Sequence, residues 1–212
     1  MSIKGFIFDL DGTLLDSMKI WQNAGSDYLA GQRVENIPEN LRDIVKAMSL
    51  LQSAQYFIQE FQLPYSEQEV MDGINEMIEN KYRLEVLSKE GVKEFLENHK
   101  EMKMCIATAT DKHLVEYALE RLGIAGYFDF IITSTEVGSS KENPDIFFKA
   151  AERMNLKQEE VIVFEDAIHA IKCAKEAGFR VIAVADEYSL GDEAQIRQLA
   201  DQFVNRLSEL EM

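Results

Sequence analysis

The sequence predicts an α/β protein, a doubly wound parallel sheet covered by helices on both faces and interrupted by an inserted helical segment. Three observations carry this reading. Short apolar runs that do not alternate with polar residues read as strands buried on both faces. Amphipathic helical patterns separate those runs, which is the order of a parallel α/β sheet. Residues 16–85 show helical patterns and no convincing strand.

The first strand is expected over residues 4–10. It opens the stretch "FIFDLDGTLLDS", in which an apolar run ends in Asp9 and Asp11, with Asp16 close behind. At about 4 Å and an effective dielectric of about 20, two such carboxylates repel by roughly 4 kcal/mol. Something at the end of this strand must therefore offset their charge.

Further strands are expected over residues 102–108, 128–133, 161–164 and 180–184, each preceded by a helical pattern. In "DKHLVEYALERLG", Leu114, Val115, Ala118, Leu119 and Leu122 recur at helical spacing, and Gly123 is placed to end the helix. In "EDAIHAIKCAKEAG", Ile168, Ile171 and Ala174 repeat the pattern up to Gly178. The last segment, "EAQIRQLADQFVNRLSELEM", reads as a helix, a short edge strand and a terminal turn. Within the insert, "LRDIVKAMSLLQSAQYFIQEF" and "SEQEVMDGINEMIENKYRL" read as helices punctuated by Pro38 and Pro64.

Composition narrows the function. The chain has 212 residues, 46% of them hydrophobic, which suits a packed core with a modest insert. Net charge is −16, and no cluster of Lys and Arg interrupts it, so nucleic acid and anionic membranes are poor partners. The early apolar run is too short to span a membrane and lacks the features of a signal peptide, so a cytoplasmic location is expected. Cys105 and Cys173 lie in apolar segments without C-x-x-C spacing and read as buried thiols.

In open α/β sheets, ligands gather beyond the carboxyl ends of the strands. There the sequence places Asp9, Asp11 and Thr13, then Thr108, Ala109 and Thr110, then Lys141, then Glu165 and Asp166. Carboxylate oxygens suit a hard cation such as Mg²⁺. A cation and a lysine offset phosphate charge, so that a carboxylate can attack phosphorus while a second one moves a proton. Taken singly, Asp166 reads as a helix cap, Lys141 as a loop lysine, Thr108 as a strand end and Asp11-Gly12 as a turn. Their convergence on one sheet edge favours a site.

With "DLDGTLLDS", "IATAT", "SSKENPDIF" and "VIVFEDAIHAIKCAKEAG" in this order and spacing, the sequence resembles the haloacid dehalogenase-like hydrolases. It is most similar to their small-metabolite phosphatase and β-phosphoglucomutase-like branch. The resemblance covers nearly the whole core. It implies a Rossmann-like catalytic core over residues 1–15 and 86–212, with residues 16–85 as a helical cap whose hinges lie near 16–17 and 83–88. It implies Asp9 as nucleophile and metal ligand, and Asp11 as general acid/base with its backbone carbonyl on the metal. Thr108, Ala109 and Lys141 would bind the phosphoryl group, and Lys141 would hold Asp9 ionised. Asp166 would be a direct ligand of Mg²⁺, with Glu165 in the outer shell.

Departures from the pattern sharpen the choice of reaction. Asp11 disfavours dehalogenation and phosphonate cleavage, whose enzymes lack it. Trp21 stands where β-phosphoglucomutase has a cap histidine, and "KAMSLLQS" supplies no arginine, so hydrolysis is preferred to a mutase reaction. Thr13 also fits the hydrolytic members. Ala170 replaces a usual glycine and reads as a packing variation. "KENPD" departs from the usual proline after the lysine but keeps Lys141 and Asp145.

The expected function is a Mg²⁺-dependent phosphatase acting on a small phosphorylated metabolite, as a monomer or weak homodimer. The alternatives are a sugar-phosphate mutase or a catalytically weak binding protein on the same fold. Trp21, Lys46, Lys81 and Arg83 are candidate substrate contacts in the insert. His99, His113 and His169 match no motif and read as structural or surface residues.

Overall fold

The computed structural model describes residues 2–45, 50–139 and 141–210. The chain begins with β1 (Gly5–Phe8) and β2 (Leu15–Asp16), then forms α1 (Met18–Gly31), α2 (Leu41–Val45), α3 (Leu50–Phe61) and α4 (Glu67–Leu84). It continues through β3 (Leu87–Ser88), α5 (Val92–Asn98), β4 (Lys103–Thr108), α6 (Lys112–Leu122), β5 (Phe130–Thr133) and α7 (Ser134–Val137). It ends with α8 (Asp145–Arg153), β6 (Val161–Glu165), α9 (Ile168–Glu176), β7 (Arg180–Val184), α10 (Glu193–Leu199) and β8 (Gln202–Val204).

Six strands form one parallel sheet in the order β5-β4-β1-β6-β7-β8. The chain builds outward from β1 on one side and then crosses to build on the other. β1 is thus the switch point, where open α/β sheets leave a crevice. The register aligns Phe8 with Ile106 and with Phe164. Asp9, Thr108 and Glu165 therefore emerge at the same edge.

Alternation within β1 feeds two cores. Phe6 and Phe8 join Phe164 and, from α5, Phe95 on one face; the Phe8 and Phe164 rings stack at 4.6 Å. Ile7 faces the other way, into a cluster with Cys105, Val163 and Val181, covered by Phe147 of α8, Ile171 of α9 and Ile196 of α10. Both cysteines are free and buried. Ala170 is fully buried in this cluster, consistent with a packing role at that position. Gly123 ends α6 in the left-handed conformation.

The first strand is shorter than the apolar run suggests. The backbone folds back at Leu10, whose carbonyl accepts from the N–H groups of Leu14 (2.9 Å) and Leu15 (2.8 Å). The sequence also gave no warning of β2 and β3, a two-residue antiparallel ladder that pairs Leu15 with Ser88 and Asp16 with Leu87. Two residues are too few to show a period.

Backbone contacts divide the chain into two compact units, residues 1–17 with 86–212, and residues 18–85. The smaller unit is helical in its described residues. In α4, Val70, Ile74, Ile78 and Tyr82 recur at four-residue spacing and are buried. Ser66 and Glu69 close a capping box at its start. Among the described residues, no helix is long and apolar enough to cross a membrane.

Candidate active site

The loop after β1 is held by backbone geometry. Asp9 N–H donates to the Phe164 carbonyl at 2.9 Å, so the first acid leaves the sheet already registered against β6. Gly12 has φ +91°, a conformation that L side chains rarely adopt. A Cβ there would also lie 2.5 Å from Asp166 Oδ2. Glycine thus lets the loop turn tightly and lets the Asp166 carboxylate approach its backbone.

Lys141 arrives from the segment after α7. Its ammonium is bonded to Asp9 Oδ1 and, at 2.7 Å, to Glu165 Oε1. It is 6% exposed, so it is no solvated loop lysine. Glu165 Oε2 accepts from the N–H groups of Asp166 (2.8 Å) and Ala167 (2.9 Å). Both oxygens of Glu165 are thereby occupied by protein donors.

Asp166 does not cap α9; Ala167 stands at that position and makes no side-chain cap. Instead Asp166 Oδ1 accepts from Thr13 Oγ1 at 3.1 Å, and Oδ2 accepts from Ser189 Oγ at 3.4 Å. One carboxylate oxygen from each of Asp9, Glu165 and Asp166 lies within 4.8 Å of the others, and all three residues are buried.

Asp11 points elsewhere. Its Oδ1 accepts from Ser17 Oγ and its Oδ2 from Thr110 Oγ1, both at 2.5 Å. Thr108 is buried, with Oγ1 accepting from Thr110 N–H at 3.0 Å, and Ala109 beside it is exposed. Asp9, Lys141, Glu165 and Asp166 are thus brought into one cluster, with Asp11 held by hydroxyls beside it.

The electrostatics are unbalanced. Three buried carboxylates face one ammonium. Burial pushes the Asp9 carboxyl up to about 7; Lys141 pulls against this, while Glu165 and Asp11 add to it. Burial opposes charge on Lys141 too, but Asp9 and Glu165 outweigh it and raise its pKa. Burial, followed by the charges of Glu165, Asp9 and Asp186, holds Asp166 well above the usual carboxylate range. A compact set of hard oxygen donors with surplus negative charge fits a divalent cation such as Mg²⁺. The carboxylate oxygens of Asp9, Glu165 and Asp166 are the candidate ligands of such an ion.

Trp21 donates from Nε1 to Tyr82 Oη at 2.8 Å within the helical unit and is 37% exposed. Lys81 is ion-paired with Asp27, and Arg83 with Glu79 at 3.1 Å. Lys46 lies outside the described residues. His99 packs on Phe6 and Phe95, with Nδ1 2.8 Å from the Phe95 carbonyl. His113 and His169 are exposed on their helices. Sequence reasoning missed Ser17, Lys89, Asp186 and Ser189 as neighbours of the site. Ser17 closes the quoted motif "DLDGTLLDS", whereas Lys89, Asp186 and Ser189 belong to no spaced pattern and only the fold brings them there.

The family model of haloacid dehalogenase-like hydrolases matches residues 6–184. A phosphorylated carbohydrates phosphatase of Thermotoga maritima is 30% identical over 207 residues, covering 90% of this chain and 88% of its own. A fructose-1-phosphate phosphatase of Escherichia coli is 27% identical over 186 residues, covering 85% of this chain and 95% of its own. Among solved structures, CbbY of Rhodobacter sphaeroides in complex with phosphate superposes with a TM-score of 0.79 at 22% identity, covering 98% of this chain and 96% of that one. At that identity the likeness concerns the fold.

Proposed function

This chain belongs to the haloacid dehalogenase-like hydrolases, and from that premise we propose that it is a phosphatase of a small phosphorylated metabolite that works through an aspartyl phosphate on Asp9. The observation that carries the reading is the contact of Lys141 with Asp9 inside the buried Asp9–Glu165–Asp166 group. A nucleophile, a phosphate-binding cation and a cation-binding carboxylate pair meet there at the switch point of the sheet.

In this reading Asp9 attacks phosphorus, and the ester P–O bond breaks. Asp11, protonated at that moment, gives its proton to the departing oxygen. Water then attacks the aspartyl phosphate, passing a proton back to Asp11 and freeing Asp9 and inorganic phosphate. Thr108 Oγ, the Ala109 N–H and the Lys141 ammonium bind the phosphoryl oxygens. Asp9, Asp166 and the Asp11 backbone carbonyl would hold Mg²⁺, with Glu165 fixing Lys141 and the Asp166 backbone behind them. Bound there, the cation supplies positive charge that keeps Asp9 ionised and offsets the phosphoryl oxygens. Thr110 and Ser17 orient Asp11. The helical unit serves as the cap of this family.

The names of the relatives support a phosphorylated carbohydrate as substrate class. The test is phosphate release from a panel of phosphorylated sugars, polyols, nucleotides and small acids, with and without Mg²⁺. The reading expects Mg²⁺-dependent release from a carbohydrate monophosphate and none from Asp9→Asn. Rapid turnover by Asp9→Asn, or a metal-independent rate equal to the wild-type rate, would contradict it.

A further inference from the structure

Lys89 follows β3 and takes no part in the cluster just described, yet it is tied to it twice over. Its ammonium donates to the Gly12 carbonyl at 2.5 Å, to the Ala185 carbonyl at 2.6 Å and to Asp186 Oδ2 at 2.8 Å. All three donor positions of the ammonium are thereby used. The side chain of Lys89 is 17% exposed and that of Asp186 is 2% exposed. These partners lie far apart in sequence and come from two different strand ends, β1 and β7.

Each partner leads to the same carboxylate. Gly12 is followed by Thr13, whose hydroxyl donates to Asp166 Oδ1 at 3.1 Å. Asp186 starts a short turn; its Oδ1 accepts from Tyr188 N–H at 3.0 Å and its carbonyl accepts from Ser189 N–H at 3.0 Å. Ser189 Oγ then meets Asp166 Oδ2 at 3.4 Å. One ammonium thus anchors the two backbone segments that supply a hydroxyl to each oxygen of Asp166.

We propose that Lys89 is a positioning residue, which sets the orientation of the Asp166 carboxylate for the cation through the Gly12-Thr13 arm and the Asp186-Ser189 arm. The inference rests on the reading of Asp166 as a cation ligand. A carboxylate hydrogen-bonded on both oxygens has one preferred plane, and a hard octahedral cation demands such a plane. Losing Lys89 leaves Asp186 buried without its cation and releases the Gly12 carbonyl, so both arms loosen together.

The test follows the thermal stabilisation of the protein by Mg²⁺ alone, read beside turnover of p-nitrophenyl phosphate. For Lys89→Met, the Mg²⁺ concentration giving half of the full Tm shift should rise by about tenfold or more. The Mg²⁺ concentration for half-maximal activity should rise with it. At saturating Mg²⁺, KM for p-nitrophenyl phosphate should stay within about twofold of wild type, because Lys89 does not touch the phosphoryl group. Lys89→Met that folds and keeps the wild-type Mg²⁺ response overturns the proposal. Should Lys89→Met fail to fold, Thr13→Val and Ser189→Ala decide, each cutting one arm. Each should weaken the Mg²⁺ response, and a wild-type response from both overturns the proposal. A wild-type protein without any Mg²⁺ response would instead overturn the reading of the site, and this inference with it.

Discussion

The Lys141 ammonium contacts the Asp9 carboxylate across 132 positions of sequence, and both side chains are withdrawn from solvent. Desolvating such a pair carries a penalty that its mutual attraction need not repay, so the pair is weak evidence for a stabilising role. Its proposed purpose here is to hold a nucleophile and a phosphate-binding charge side by side.

Lys141→Met should lower kcat by about 10²–10³-fold, the usual cost of removing one preorganised charge from such a site. Lys141→Arg should not restore it, because a planar guanidinium cannot occupy the place of a compact ammonium between Asp9 and Glu165. Steady-state kinetics on the best substrate of the panel checks both.

The raised pKa of Asp9 makes a prediction about stability without metal. Folded Asp9 keeps its proton up to about 7, whereas the ordinary value is 3.8. Between those values the folded state binds more protons than the unfolded state, so stability falls as pH rises. The loss is at most about 4 kcal/mol. Asp9→Asn has no such proton. In chelator, the variant should match wild type near pH 4 and become progressively more stable than wild type toward pH 7. Melting curves across that range test this; a difference that does not change with pH would count against it. Added Mg²⁺ should shrink the difference by stabilising wild type.

Thr110→Val removes one of the two hydroxyls that orient Asp11 while keeping the shape of the side chain. A hydrogen bond to a carboxylate is worth about 1.5–3 kcal/mol. The expected result is a kcat lowered by about tenfold or more with KM little changed, the pattern of an interaction used in the reaction step.

Gly12→Ala combines an unfavourable φ with a Cβ driven against Asp166. It should destabilise the protein by about 1–3 kcal/mol and weaken Mg²⁺ binding as well. Chemical denaturation and Mg²⁺ titration of the same sample separate the two effects.

The parallel sheet and the edge where the candidate residues gather were legible because buried strands and intervening helices each carry a period. Asp9, Thr108, Lys141, Glu165 and Asp166 could be placed at one edge from chain order alone. What chain order could not show is direction. Asp11 turns from the carboxylate cluster toward Ser17 and Thr110, and Glu165 is consumed by Lys141 and two backbone donors. Lys89 and Asp186 were invisible because a single lysine in a turn has no period, and its partners lie 77 to 97 positions away. Sequence shows the cation that neighbours Asp9 but not the depth of burial that opposes its charge. In the helical unit, chain order could not show that Lys81 pairs with Asp27 and Arg83 with Glu79.

The central claim is that Asp9 carries the phosphoryl group between substrate and water. Acid quenching during turnover, followed by mass spectrometry of the peptide that contains Asp9, tests it most directly. The predicted result is a phosphoryl group on Asp9 that hydroxylamine removes and that Asp9→Asn never forms. A fully active wild-type enzyme whose phosphoryl group is trapped on another residue would contradict the account.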